Sequence, residues 1–277
     1  MIPRLVHFVF GLRPQEEPFH LLHYLAIESC RQVIRPDRIV LHVHDLPYGI
    51  YWDLARPLVE LERIEPSPEV AARPAAGAVA RYRYAHHADV VRLDVLARHG
   101  GMYADIDTLF TAPPPEAVWD AEAVIGEEAP VQYPDRDEPE PSVTNALLLS
   151  APGSWFVTTW RARIIEAMDG SWSGHSCRLA TRLVAEQPER VRVEPRERFS
   201  PYDHTPAGMR ALLEEPLVPG ALDGTSSVHL CAHLWWDRDR RDFSGFSAPD
   251  ASEAHLRTAD TPLAVLARPH LPQHDLF

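Results

Sequence analysis

The chain has 277 residues, of which 45% are hydrophobic and 24% charged, so it has the composition of a folded globular protein and the length to bury a single large core. Forty acidic residues against 27 basic ones give a formal charge of −13, which sets the surface as a whole against phosphate backbones and anionic lipid and speaks against a nucleic-acid partner. Every basic residue other than histidine is arginine; with no lysine in the chain, Schiff-base chemistry and the lysine-bearing phosphate loop are both excluded. The three cysteines, Cys30, Cys177 and Cys231, are far apart and form no CxxC pair, which predicts free thiols in a reducing compartment. No run of apolar residues reaches the length of a membrane span and the opening residues lack a signal-peptide core, so a cytoplasmic location is expected.

In chain order, Leu5 to Phe10 reads as a buried strand ending at Gly11, and Phe19 to Val33 carries apolar residues at helical spacing. Arg38 to His44 alternates Ile39, Leu41 and Val43 with polar partners, the pattern of a second strand. A proline-rich connector from Glu65 to Pro74 leads to a long helix, roughly Tyr82 to His99, closed by Gly100 and Gly101 and followed at once by a strand, Met102 to Ala104. Beyond Thr111 come a strand over Ala123 to Gly126, an acidic, proline-rich stretch from Glu127 to Pro141 read as a mobile loop, and a buried strand over Asn145 to Ser150. Helices are expected over Ser154 to Met168 and Cys177 to Glu186, and strands over Val191 to Val193 and Ser227 to Cys231. The tail from Ala248 onward shows no regular pattern. Strands alternating with helices predict a layered α/β sheet, mostly parallel and Rossmann-like, with helices on both faces.

The segment from Ala88 to Asp107, A-D-V-V-R-L-D-V-L-A-R-H-G-G-M-Y-A-D-I-D, concentrates the chemistry. On a helix Asp89 and Arg92 share a face, and the two glycines allow a tight turn into a strand that delivers Asp105 and Asp107 at its C-terminal end, where open α/β sheets bind ligands. Two carboxylates one residue apart can grip Mg²⁺ or Mn²⁺ against a diphosphate. The triplets Asp135-Arg136-Asp137 and Asp237-Arg238-Asp239 have the same spacing in polar stretches and read as solvated surface. His86 and His87 lack any metal-ligand spacing and are expected as partly exposed helix residues.

That segment resembles the hallmark of glycosyltransferases with a DxD sugar-binding region, the thirty-second glycosyltransferase family, whose relatives include capsular polysaccharide sugar transferases and the glucosyltransferase domains of large clostridial toxins. The resemblance implies a single GT-A type domain, residues 1–111 holding the nucleotide sugar and residues 112–277 supplying a variable acceptor region and a C-terminal metal and donor segment. It implies transfer of a hexose from a nucleotide diphosphate sugar, a UDP-sugar by preference, to a hydroxyl on a glycan, small molecule or protein, with retention of configuration and Mn²⁺ or Mg²⁺ as cofactor. Asp105 and Asp107 would anchor the metal and diphosphate, Asp89 the ribose or sugar hydroxyls, and Arg92 the donor sugar or phosphate, with Tyr103 beside them.

Val6-His7-Phe8-Val9-Phe10-Gly11 is similar to the family's opening strand, so Val9 and Phe10 would meet the base, Phe10 being otherwise a core aromatic. Thr144-Asn145-Ala146 is similar to the family segment facing the donor sugar, with an asparagine that caps a turn as the plain alternative. Near the end, Val228 to Asp237 is similar to the A-x-H-x-W segment; His233 matches it best as a metal ligand, with His229 in reserve, and Trp235 and Trp236 would wall the donor or pack. Two other classes stay open: a nucleotide-sugar hydrolase, in which water takes the acceptor's place, and a catalytically silent scaffold that binds carbohydrate through its seven tryptophans.

Overall fold

The computed structural model describes residues 1–73, 80, 83–132, 137–235 and 251–273. Its centre is a seven-stranded sheet in the order β3-β2-β1-β4-β7-β6-β8, built from β1 (Leu5–Phe10), β2 (Arg38–Val43), β3 (Glu60–Arg63), β4 (Gly101–Ala104), β6 (Ala123–Val131), β7 (Glu140–Ser150) and β8 (Arg192–Glu194). Neighbouring pairs are parallel except those made by β7, which runs antiparallel to both β4 and β6. The mostly parallel α/β sheet expected from the alternation of elements is therefore present.

Alternate side chains of each central strand face two separate hydrophobic layers, as the pleat requires. Val6, Phe8, Met102, Leu147 and Leu149 enter one layer, together with α1 (Leu21–Ser29) and Trp52 of α2 (Ile50–Ala55). Val9, Tyr103 and Leu148 enter the other, against α3 (Arg83–His99), α4 (Trp155–Ile164) and α5 (Cys177–Glu186). Both faces are thus covered, the condition under which a largely parallel sheet is stable. No helix among the described residues is long and apolar enough to cross a membrane.

Two departures from the sequence reading bear on the site. Both ends of the acidic stretch read as a mobile loop are strand, Glu127 pairing with Val143, Glu128 with Ser142 and Val131 with Glu140, while residues 133–136 between them lie outside the described residues. A ladder is made by backbone N–H and C=O groups whatever the side chains are, and Ala129, Ser142 and Val143 bury the inner positions of this polar hairpin. The tail, in which no pattern was visible, contains α6 (Glu253–Thr258) and α7 (Pro262–Ala267), each opened by a side-chain cap from Ser252 or Thr261. Tyr82, Trp236, Asp135, Arg136 and the Asp237-Arg238-Asp239 triplet lie outside the described residues.

A second, two-stranded sheet pairs β5 (Thr108–Phe110) antiparallel with β9 (Ser227–His229). Its register sets Thr108 opposite His229, which carries the C-terminal part of the chain back to the end of β4.

Candidate active site

Helix α3 supplies Asp89 and Arg92, one turn apart and only 6% and 4% exposed. Val90, Leu93 and Leu96 anchor the helix in the layer beneath, and both polar side chains meet Asn145 in the middle of β7. The helix stops at Gly100, whose amide bonds the Leu96 carbonyl at 2.9 Å, and the chain reverses through Gly100 and Gly101 at φ of 63° and 101°. A Cβ on Gly101 would lie 2.4 Å from the Leu5 carbonyl oxygen, so the approach of β4 to β1 requires glycine there. The turn predicted from the paired glycines is thereby accounted for, and four residues later the chain delivers Asp105.

Arg92 is the hub. Its Nη2 lies 3.0 Å from Asp89 Oδ1 and 3.3 Å from Asp105 Oδ1, its Nη1 donates to the Asn145 carbonyl, and its guanidinium sits 4.4 Å over the Tyr103 ring. The Tyr103 hydroxyl donates to Asp105 Oδ1 at 2.7 Å. Asn145 lies within β7 rather than in a turn, and its Nδ2 donates to Asp89 Oδ1 at 2.7 Å, which removes the turn-cap alternative. His175 Nε2 meets the other oxygen, Asp89 Oδ2, at 3.0 Å.

Of the two candidate histidines, the structure sets the reserve one, His229, beside the aspartates. His229 Nε2 lies 3.2 Å from Asp107 Oδ1 and 3.8 Å from Asp105 Oδ2, and the three residues offer ligand atoms all within 4.8 Å of one another. His233, the better match to the sequence motif, instead stacks on Trp172 with ring centroids 5.2 Å apart and planes 25° from parallel. The reason is the β5–β9 register: pairing fixes His229 opposite Thr108, while the chain turns at Cys231 through a left-handed backbone (φ 49°) before His233 is reached. Ala232 N–H then donates to Asp107 Oδ2 at 2.7 Å and Leu230 N–H to the Asp107 carbonyl at 2.9 Å, locking the second aspartate against this turn.

Burial and neighbours divide the charges. Burial by itself would raise the Asp89 pKa, but the Arg92 guanidinium and the His175 hydrogen bond outweigh it and hold the carboxyl at about 2. Burial raises Asp105, with Asp107 adding to the effect against the pull of Arg92. Asp107 is held below the usual carboxylate range, since His229 and the Ala232 amide overcome its burial. Burial would lower His229, yet Cys231 and Asp107 beside it raise its pKa well above the ordinary imidazole value.

These groups line a cleft of about 1850 Å³ at the C-terminal ends of β1 and β4, the end of an α/β sheet at which ligands bind. Val9 and Phe10 form part of its wall, Phe10 meeting Phe19 and His23 edge-on at 4.9 and 5.0 Å. Trp235 also lines it and donates its indole N–H to the Leu230 carbonyl at 2.7 Å. His86 and His87, expected to be partly exposed, are both 6% exposed, His86 lying against Trp172 and His175. Two participants had no signal in the sequence. His175 lies in a run of turn residues with no motif, and Cys177, whose thiol donates to Asn145 Oδ1 at 3.7 Å, read only as a packing thiol.

The family match takes in Asp89, Arg92, Asp105 and Asp107 of these residues. Residues 26–128 match the family described as the glycosyltransferase sugar-binding region containing a DXD motif. Glucan organizing enzyme 1 of Cryptococcus neoformans var. grubii is 32% identical over 200 residues, which is 70% of this chain and 52% of the relative, so the chain spans about half the length of that protein. Among solved structures, the galactosyltransferase LgtC with donor and acceptor sugar analogs aligns at 13% identity and a TM-score of 0.47, covering 97% of this chain and 98% of that one. The apo form of the glycosyltransferase GlyE from Streptococcus pneumoniae TIGR4 aligns at 13% identity and a TM-score of 0.49, over 96% of this chain and 62% of that one. Asp105 and Asp107 fall in the last quarter of residues 26–128, the part of the chain that is similar to the DXD-containing glycosyltransferase sugar-binding region.

Proposed function

We propose that the protein is a metal-dependent GT-A type glycosyltransferase that moves a hexose from a nucleoside diphosphate sugar, a UDP-sugar by preference, to a hydroxyl acceptor with retention of configuration. The observation that carries this reading is the trio Asp105, Asp107 and His229 at one end of the cleft, tied through Arg92 to Asp89. The donor set fits a divalent cation. Two carboxylates and one imidazole suit Mn²⁺ in particular, because Mg²⁺ favours oxygen ligands alone. Neutral imidazole is the ligand form, so binding at this trio would release the proton that His229 holds. When bound, the cation neutralises charge developing on the departing diphosphate.

The chain's own groups do the rest. Asp89, ionised by Arg92 and with both oxygens oriented by Asn145 and His175, accepts hydrogen bonds from donor hydroxyls. Arg92 lines the cleft but commits its guanidinium to Asp89, Asp105 and the Asn145 carbonyl. Its part is accordingly to hold the carboxylates in place, and Tyr103 does the same for Asp105. Val9 and Phe10 offer the base an apolar wall. Glu128 also lines the cleft, but its carboxylate is held by the Ser142 hydroxyl, and we favour front-face attack, with the leaving phosphate taking the acceptor's proton.

The test is a panel of nucleotide sugars with Mn²⁺, read by release of free nucleoside diphosphate and by the anomeric configuration of the product. Release that requires the metal and is lost in chelator supports the reading. Turnover in excess chelator would remove the metal assignment, an inverted product would remove retention, and a panel in which no donor is bound or cleaved would overturn the function.

A further inference from the structure

The cleft is also lined by two side chains that the reaction as described leaves unused, His86 and Trp172. We propose that they form a subsite for a pyranose ring of the acceptor, which makes the acceptor a saccharide or a glycoside. The inference rests on the transferase reading above and extends it to the class of the second substrate.

The position follows from helix geometry. His86, Asp89 and Arg92 recur at three-residue spacing along α3 and all line the cleft. Six residues of helix span about 9 Å, so His86 stands about 9 Å along the axis from Arg92, on the side away from His99 and the turn that leads to Asp105. A donor sugar held at Asp89 has His86 beside it, and Trp172 stacks on His233 in the turn whose Ala232 amide bonds Asp107, so the pair adjoins the face from which front-face attack brings the receiving hydroxyl.

The chemistry of the two side chains matches a sugar ring. Trp172 is 41% exposed, which is unusual for so large an apolar side chain lining a cleft. One face of its indole is held by the stacked His233 ring and its flank lies 5.9 Å from His86. A rigid indole with surface left in water at a binding cleft fits the apolar C–H face of a pyranose, whose ring hydrogens meet the negative π face. His86 supplies the polar half. It is 6% exposed, yet its Nε2 has no hydrogen-bond partner. Burial lowers its pKa to about 4, so at neutral pH the imidazole is uncharged and can pair with a sugar hydroxyl as donor or acceptor. His175, packed edge-on at 4.3 Å and itself bonded to Asp89, fixes the His86 ring and couples this subsite to the donor carboxylate. An aromatic platform beside an unmet polar atom is what an amphipathic ring requires, whereas a protein hydroxyl on an extended peptide would leave the indole uncovered.

The experiment is saturation-transfer NMR on the full chain with methyl and p-nitrophenyl glycopyranosides, and with a serine-containing peptide as the non-saccharide hydroxyl. At least one glycopyranoside should receive saturation on its ring hydrogens, with its affinity weakened at least tenfold in Trp172→Ala, less in Trp172→Phe, and at least fivefold in His86→Ala. Thermal unfolding of each variant confirms that it is folded. If no glycopyranoside binds, if the peptide binds in their place, or if folded Trp172→Ala binds as the wild type does, the subsite is overturned. Since this readout requires no turnover, a protein that binds the glycoside through Trp172 but cleaves no donor would overturn the transferase reading instead.

Discussion

Asp105 and Asp107 are one residue apart and sit in opposite electrostatic settings, the first raised by burial and the second held down by His229 and the Ala232 amide. The charge that grips a cation is therefore most firmly present on Asp107. Asp107→Asn should abolish metal-dependent donor binding, measured by calorimetry with UDP and Mn²⁺, whereas Asp137→Asn, on an exposed residue of the polar hairpin, should leave it within about twofold. Comparable losses in both variants would refute the site. The two histidines can be separated in the same way. His229→Ala should weaken Mn²⁺ affinity by more than the roughly 10–100-fold that loss of an outer partner costs, and His233→Ala should change it little, since its ring is stacked on Trp172. The opposite ranking would restore the ligand expected from the sequence motif.

At the scale of elements, the junction of α3 with β4 does two jobs, closing the helix and aiming the aspartates. Gly101→Ala should cost at least about 2 kcal/mol, because its φ of 101° is strained for any side chain and the added carbon would meet the Leu5 carbonyl. Denaturant unfolding would show this, and a variant as stable as the wild type would mean that the turn tolerates another geometry. Arg92 presents a sharper case. As an ordinary exposed pair with Asp89 one turn away it would contribute about 0.2–0.5 kcal/mol. Buried, and joined also to Asp105 and the Asn145 carbonyl, it leaves uncompensated carboxylates when removed, so Arg92→Ala should destabilise by about 3–5 kcal/mol as well as impair turnover.

For the molecule as a whole, acid stability should be governed by buried histidines as much as by carboxylates. His7 Nε2 lies 3.0 Å from the Gly100 carbonyl, its Nδ1 lies 2.8 Å from His42 Nε2, and burial lowers the two pKa values to about 4 and about 3. These are bases with depressed folded-state values. The unfolded chain takes up their protons from about pH 6.5 downward while the folded chain refuses them until about pH 4, so stability is lost as pH falls through that window. At about 1.4 kcal/mol per pH unit, His7 alone accounts for about 3 kcal/mol. Asp89 adds a later loss: with its folded value at about 2, below the ordinary 3.8, its contribution is kept above pH 4 and disappears between about pH 4 and 2. Unfolding free energies measured from pH 7 to 4 should therefore decline, and His42→Gln should flatten that decline; an unchanged slope would show that other groups carry it.

Local chemistry determined much of this protein. The buried run of β1, the helix Cys177–Glu186, the glycine turn and the aspartates beyond it are set by patterns within a few residues, and the sequence shows each of them. The pairing of Asn145 with Asp89 was half visible, since the residue stood out but not its partner. What remained hidden depends on which distant segments meet. His229 rather than His233 faces the aspartates because β9 pairs with β5, and His175 reaches Asp89 because its turn folds over α3. Composition made Glu127–Pro141 look unable to order itself, whereas a ladder with β7 takes up Glu127 to Val131 regardless of side chain. Periodicity reports the burial of a face, and so it locates elements; pairing partners and register are fixed by long-range contacts, and only the tertiary structure decided which imidazole lies beside the two aspartates.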